Sequence, residues 1–471
     1  MEMLRYEKLA VELEGMITSG VLRHGDRLPS VRRLSLERRL SISTVIQALR
    51  RLEDKSLVEA RPQSGYFVRA ALSARAEPLP RVTPTAPVPV DISQRLVGVL
   101  QAGMKPGVAP FAAALPASEL LPLAALRRLY GGVARRYPKL LEAGSHVHMN
   151  EPALIRQLVR RSLAWGGPLV GDEIVITNSC TEALGLCLKA VTKPGDTVAV
   201  ESPAYYLMLQ LLETLGLKAL EIPTDPRTGI SVEALDLASR HGGIAACLLV
   251  PNASNPLGSV MPEESKRRLA SLMAARGVPV IEDDIYGDLH FGAQRPWPIK
   301  AFDTAGNVML CSSFSKSLTP SLRIGFVAAG RYSPAIALQK TLSSGATNPV
   351  TQLVLAEYLE SGSYERHLRG LRRAYENQIE CMRTAVGRYF PTATRIAQPQ
   401  GGFVLWVELP EEIDTSRLHE RAVAENLSYV PGELFSASGM YRNCLRLNCG
   451  NPHSPDIDDA VRRLGSLMEK P

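Results

Sequence analysis

Apolar positions recur along this chain with two different periods. Leu4, Leu9, Leu13, Met16 and Ile17 fall on one face of a first helix, and Gly20 and Gly25 then break the pattern. Asp26-Arg27-Leu28-Pro29-Ser30 turns the chain into a second helix with Ser30 as its N-cap. A third helix starts at Ser41 or Ser43 and runs to about Asp54. Residues 57–61 and 66–69 read as short strands joined by Pro62-Gln63-Ser64-Gly65. Three helices followed by a hairpin is the layout of a winged helix-turn-helix, whose third helix enters the major groove.

Residues 76–91 hold five prolines (Pro78, Pro80, Pro84, Pro87, Pro89) and keep neither period, which predicts a semi-extended linker. From about Asp91 onward, short apolar runs alternate with helical patterns. Residues 173–177, 197–201, 244–250, 278–283, 308–312 and 325–329 read as strands, each apolar almost throughout, as parallel strands covered on both faces are. Stretches such as 182–191 and 263–275 read as helices. The alternation predicts an α/β body with a mostly parallel sheet. From about Ser361 a long charged helix, then mixed strands and helices, predicts a second lobe.

Composition narrows the class. A chain of 471 residues that is 45% hydrophobic can offset its ordering entropy and fill more than one core. No apolar run approaches the ~18 residues of a membrane-spanning helix, and the N-terminal residues, acids and bases mixed, do not read as a signal peptide. Seven scattered cysteines, without a CxxC pair, indicate neither a disulfide framework nor a metal site; a reducing cytoplasm fits them. The net charge of +7 is uneven: residues 1–75 hold 14 Lys+Arg against 9 Asp+Glu, and the remainder holds 40 against 38. A basic module on a near-neutral body points on charge alone to a polyanion partner for the module or, equally, to a solvated helix face; the winged helix-turn-helix layout favours the first, double-stranded DNA.

Leu28-Pro29-Ser30-Val31-Arg32-Arg33-Leu34, Ser41-Ile42-Ser43-Thr44-Val45 with Ala48 and Leu52, and Ser64-Gly65-Tyr66-Phe67-Val68 closely resemble a GntR-type DNA-binding domain over residues 4–69. Arg32, Arg33 and Arg50 are long cations able to reach phosphates or a guanine edge. Ser41, Ser43 and Thr44 sit at the recognition-helix N-terminus, where hydroxyls and amides meet a phosphate. Gly65 permits the tight wing turn, which brings Arg61 or Ser64 toward the minor groove. The family usually carries basic residues where this chain has Ile42 and Ile46, so these two either pack or alter the readout.

In open parallel sheets ligands collect at the carboxyl ends of strands. At those ends stand Asn178-Ser179-Cys180-Thr181, Ser202-Pro203-Ala204-Tyr205, the loop Pro251-Asn252-Ala253-Ser254-Asn255-Pro256-Leu257-Gly258, Asp283-Asp284-Ile285-Tyr286, and Ser313-Phe314-Ser315-Lys316 followed by Arg323. An imine-forming lysine, a carboxylate for a pyridinium, and Ser and Arg for a phosphate are what pyridoxal 5′-phosphate demands. Their order resembles the fold-type-I aspartate aminotransferase superfamily over roughly residues 91–471. The resemblance implies Lys316 as Schiff-base lysine and Asp283 as ring-nitrogen partner. It implies Asn255 and Tyr286 on the phenolic oxygen, Tyr205 stacked on the ring, and Ser179, Cys180, Thr181, Ser313 and Arg323 around the phosphate. It also implies Arg446 as the fork for an effector carboxylate. Ser179-Cys180-Thr181 stands where Gly-Ser-Gln is usual, and His146-Val147-His148-Met149-Asn150-Glu151 stands where a tyrosine and a glycine are common.

A GntR-type reader joined to an aminotransferase-like body resembles the MocR family of transcriptional regulators. The fold expected is a mainly helical winged helix-turn-helix (1–70), a Pro-rich linker (71–95), and an α/β fold-type-I body with a large domain (96–360) and a smaller lobe (361–471). The resemblance implies a homodimer in which an amino compound, or pyridoxal phosphate itself, is sensed at Lys316 and signalled to the DNA-binding modules. The competing classes are a true aminotransferase with an accessory DNA-binding module, and a constitutive DNA-binding protein with a vestigial cofactor site.

Overall fold

Helices Arg5–Thr18, Val31–Arg38 and Ile42–Asp54 and the antiparallel hairpin of Val58–Arg61 with Gly65–Val68 build the first of two units, Met1–Arg75; the second is Ala76–Pro471. The computed structural model describes residues 4–18, 21–22, 26–54, 57–61, 64–68, 75–141, 150–240 and 242–469. Gly20, Gly25, Pro62, Gln63, Arg69, His146, Val147, His148 and Met149, and the Arg61 side chain, lie outside the described residues.

The first unit has a core of its own: Leu9, Leu13, Ile17, Leu28, Leu34, Val45, Ala48, Leu49, Leu52, Val58 and Val68 are buried together. Ser30 caps the second helix as its sequence predicts, its hydroxyl accepting the Arg33 amide at 3.3 Å. Gly65 has φ +95°, the left-handed region in which a residue without Cβ is favoured, and so closes the hairpin.

In the second unit one sheet runs in the order Val88–Pro89, Lys218–Asp225, Thr197–Ser202, Ile244–Leu249, Val280–Asp283, Val308–Ser313, Gly325–Ala328, Ile174–Thr177. The strands from Lys218–Asp225 to Val308–Ser313 pair in parallel. Gly325–Ala328 belongs to the minority that a mostly parallel sheet allows, pairing antiparallel with both neighbours. The cause is length: a parallel crossover takes a dozen or more residues, and residues 314–324 contain only the short turn Pro320–Leu322. Helix Cys180–Val191 lies on this sheet, burying Ala183, Leu184 and Cys187 among Val198, Val200 and Cys311.

The C-terminal part of the body opens with the 27-residue helix Ser363–Tyr389. It continues with an antiparallel sheet ordered Arg395–Ile396, Val404–Glu408, Cys444–Asn448, Val430–Pro431, covered by Thr415–Ala424 and Pro455–Met468. The linker needs correction: from Ala76 onward the Pro-rich segment belongs to the body, and Val88–Pro89 adds an edge strand to the large sheet. No helix among the described residues is long and apolar enough to cross a membrane.

Because the first unit packs around its own core, Leu52→Ala, at a position with no exposed surface, is expected to destabilise that unit by about 2–5 kcal/mol. Calorimetry should show its melting transition lowered and that of the body unmoved.

Candidate cofactor site and DNA-contacting face

On the first unit, Arg32 and Arg50 are exposed, and neither has an ion-pair partner among the described residues. Arg33 is exposed too but shares its Nε with Glu37 at 2.7 Å. At the start of the third helix Ser41 Oγ accepts the Thr44 amide at 3.1 Å and lies 2.9 Å from Ser43 Oγ and 2.7 Å from Thr44 Oγ1. This hydroxyl cluster caps the recognition helix. Ile42 is half exposed and so does not pack in the core, whereas Ile46 is partly buried. Ser64 stands exposed beside Gly65 at the hairpin tip.

In the body, the strand ends converge as open-sheet topology requires. Asp283 ends Val280–Asp283 and is 2% exposed. Its Oδ1 accepts the Ile285 amide at 3.0 Å and the Cys180 thiol at 3.2 Å. Burial pushes the carboxyl up to about 6, against the pull of those two donors. Three residues beyond Val308–Ser313, Lys316 donates through Nζ to the Ala114 carbonyl at 2.6 Å. Burial, and then the positive charge of Arg446, bring its amine down to about 8, while Asp283 acts in the opposite sense.

Tyr286 and Asn255 are buried, and the Asn255 amide lies beside the Tyr286 hydroxyl without either making a well-formed hydrogen bond. Arg446, fully buried at the centre of Cys444–Asn448, donates through Nη2 to the Ala112 carbonyl and leaves Nε and Nη1 unpartnered. The rings of Tyr206 and Phe435 lie 5.6 and 5.9 Å from its guanidinium. Tyr205, half-buried, precedes helix Tyr206–Thr214, its ring centroid 4.8 Å from that of Tyr206.

The group expected around a phosphate divides. Ser179 is the N-cap of Cys180–Val191, its hydroxyl accepting the Glu182 amide at 3.0 Å. Thr181 is exposed in the first turn, and Ser313 is buried, accepting the Ser315 amide at 3.3 Å. Arg323 is exposed with φ +50°. Two residues on, Gly325 passes so close to the Ser179–Cys180 peptide that a Cβ there would meet the Ser179 carbonyl carbon at 2.5 Å. Arg323 and the helix N-terminus are thereby held in one neighbourhood. Cys180 departs from the expected set: its thiol is directed to Asp283.

Other residues complete the pocket. The carbonyls of Ala112 and Ala114 come from a run of small apolar residues that carries no chemical signal in the sequence. Glu201 is 3% exposed with Oε1 unpartnered, and burial raises its carboxyl to about 8; the rule that singles out Asp283, a carboxylate ending a buried strand, applies to it equally. Asn252 is committed elsewhere, bonding Asp284 Oδ1 at 2.8 Å and Lys266 Nζ at 2.6 Å, so Asn255 is the amide left free.

Buried polar atoms without partners are rare and call for a ligand or water. Here they comprise a carboxamide, a phenol and a guanidinium edge around a carboxylate and an amine that burial tips toward its neutral form. Pyridoxal 5′-phosphate fits this donor set.

The family "Aminotransferase class I and II" matches residues 166–464, and "Bacterial regulatory proteins, gntR family" matches residues 5–68. The HTH-type transcriptional regulator YjiR of Escherichia coli K12 is 41% identical over 99% of both chains. The chain belongs to the MocR family. Among solved structures, Pyrococcus horikoshii kynurenine aminotransferase, crystallised in complex with PMP, is 28% identical, with a TM-score of 0.73 over 80% of this chain and 94% of its own. LysN, the alpha-aminoadipate aminotransferase of Thermus thermophilus, complexed with N-(5'-phosphopyridoxyl)-L-leucine, is 28% identical, with a TM-score of 0.71 over 81% of this chain and 98% of its own. Both similarities cover about four-fifths of this MocR-family chain.

Two outcomes follow for this MocR body. Gly325→Ala pushes on the Ser179–Cys180 backbone and is expected to weaken pyridoxal phosphate binding by about tenfold or more, read by absorbance titration of stripped protein. The neutral fraction of Lys316 rises through about pH 8, well below the ~10.4 of an unperturbed lysine. The rate of borohydride-trapped cofactor attachment should therefore reach half its plateau near that lower pH.

Proposed function

We propose that this MocR-family chain is a DNA-binding transcriptional regulator whose body holds pyridoxal 5′-phosphate on Lys316 and senses an amino compound there, or the cofactor itself. The observation that carries this reading is the largely buried Lys316 amine, held by the Ala114 carbonyl and within the electrostatic reach of Asp283 and Arg446, in a body that leaves Asn255, Tyr286 and Arg446 atoms unsatisfied and in a chain whose first unit is a separate winged helix-turn-helix. The relative named as an HTH-type transcriptional regulator, YjiR, supports it.

When bound, the cofactor supplies an aldehyde carbon for an amine and a ring that withdraws electrons. Lys316 provides the amine. Asp283, its Oδ1 held by the Ile285 amide and the Cys180 thiol, keeps a proton on the ring nitrogen through its charge. Asn255 and Tyr286 donate to the phenolic oxygen, and Tyr205 covers a ring face. The amides at the start of Cys180–Val191, with Ser313 and Arg323, hold the phosphate. Arg446 turns its free Nε and Nη1 to the effector carboxylate. Lys316 Nζ takes up the proton that the effector's ammonium releases.

The same two cations hold the carbonyls of Ala112 and Ala114. A ligand that engages both withdraws the donors from residues 112–114 and so favours a rearranged small lobe. It shifts the balance only by its differential affinity for the two arrangements. As a homodimer the protein places two recognition helices on two half-sites, so a change in their spacing alters DNA affinity.

The aminotransferase reading is favoured by the completeness of the donor set, including a lysine able to act as base. Absorbance titration of the loaded protein with a panel of amines and amino acids separates the two. Spectral change without accumulating keto acid is expected of a sensor, and steady-state turnover of an amino acid/keto acid pair would make the body an enzyme.

For the DNA face, Arg32→Ala and Arg50→Ala are each expected to weaken binding and to lower the salt slope by about one. The cofactor spectrum should stay unchanged. Unaltered affinity at moderate salt would contradict the assignment.

A further inference from the structure

Residues 76–89 are stitched to both lobes of the body. On the small lobe, the Ala76 carbonyl accepts the Ile396 amide at 2.9 Å and the Glu77 carbonyl accepts Arg395 Nη1 at 3.2 Å. On the large domain, Glu77 pairs with Arg227 Nε at 2.8 Å, Thr83 Oγ1 donates to the Glu221 carbonyl at 2.8 Å, and Val88 pairs with Ala219. Between these attachments Arg81 turns into the body. Its Nη2 donates to Glu408 Oε1 at 2.9 Å and Asn443 Oδ1 at 2.8 Å, and its guanidinium lies 5.0 Å from the Tyr441 ring centroid.

The partners of Arg81 lead directly to the cofactor pocket. Glu408 pairs with Cys444 and Trp406 with Arg446 in the two-strand register, so Arg81 grips the strand pair that presents Arg446. The Tyr441 hydroxyl lies 3.0 Å from Ser202 Oγ, and Ser202 opens the turn Ser202-Pro203-Ala204-Tyr205. One cation is therefore two rungs of the strand ladder from the Arg446 guanidinium and one residue, Tyr441, from the turn that carries Tyr205. Its own chain leads back through Ala76 to Arg75, where the DNA-binding unit ends. A short strap fixed to two bodies cannot follow both when they shift, and the strain falls on its anchors or on the chain beyond them.

Resting on the regulator reading above, we propose that the strap transmits occupancy of the cofactor pocket to the DNA-binding unit, with Arg81 as its anchor on Tyr441 and on the strand pair that presents Arg446. The contacts are directional enough for the task. Glu408 and Asn443 accept from the same guanidinium nitrogen, so displacement of either strand misaligns a charge-assisted bond. Arg81 lies outside the DNA-binding unit and does not touch Lys316, so its loss leaves both sites standing while separating one from the other.

The test uses the full-length protein, a duplex selected by the wild type from a random pool, and pyridoxal 5′-phosphate as probe. The quantity read is the ratio of DNA dissociation constants between stripped and loaded protein. The wild type is expected to show a ratio of about fivefold or more, in either direction. Arg81→Ala should bind the cofactor with the wild-type absorbance band, melt near the wild-type temperature, and bring the ratio close to one. Glu408→Gln removes the charge partner while keeping the strand's shape, serves if Arg81→Ala folds poorly, and should reduce the ratio part-way. A wild-type ratio retained in both variants overturns the strap alone. A wild-type ratio of one, both with pyridoxal 5′-phosphate alone and with the amine and amino-acid panel added to the loaded protein, overturns the regulator reading and the strap with it.

Discussion

A single amine, largely but not wholly buried, sets the terms for the rest of this molecule. Lys316 is packed where its ammonium loses much of its hydration and where Arg446 repels its positive charge, with Asp283 providing the opposing attraction. An ammonium in such a place is costly, and the cost is what makes the neutral, nucleophilic form accessible. The parallel sheet brings Asp283, Lys316, Asn255 and Tyr205 to one end, and the close passage of Gly325 over the Ser179–Cys180 peptide fixes the helix N-terminus beside them. The unsatisfied Asn255, Tyr286 and Arg446 atoms are the complement of that amine: polar groups held ready for a ligand.

Much of this was legible in the sequence because the residues involved obey local rules. Ser30 caps a helix since its hydroxyl is short and its neighbours are helical, and the six runs of the body are strands that are apolar almost throughout because the sheet is covered on both faces. Lys218–Asp225 escaped notice because Glu221, Pro223 and Asp225 disguise it as a loop; its Glu221 is buried, accepting from the Ala437 amide at 3.2 Å. The reversed direction of Gly325–Ala328 depends on the length of a connection. The turn of Cys180 toward Asp283 depends on where helix Cys180–Val191 meets the sheet. Carbonyls such as those of Ala112 and Ala114 leave no trace in residue identity, because every residue has one.

The Pro-rich segment shows the same limit in another form. Five prolines deny it helix and central strand, which predicts an extended path and says nothing of what the path touches. Arg81 and Thr83 are ordinary residues in a low-complexity stretch, yet their partners Glu408, Asn443 and Glu221 lie more than a hundred positions away. The expected spacer is a fastening across two lobes, and in a chain that unites a duplex reader with a ligand pocket, that changes what a linker does.

The chemistry at Lys316 is open to a direct measurement. Protein loaded with pyridoxal 5′-phosphate is reduced with borohydride, digested, and its peptides sequenced by mass spectrometry. A phosphopyridoxyl group on Lys316 and on no other lysine is the expected result. A modified peptide elsewhere, or none above the level of denatured protein, would contradict the assignment on which the sensing mechanism rests.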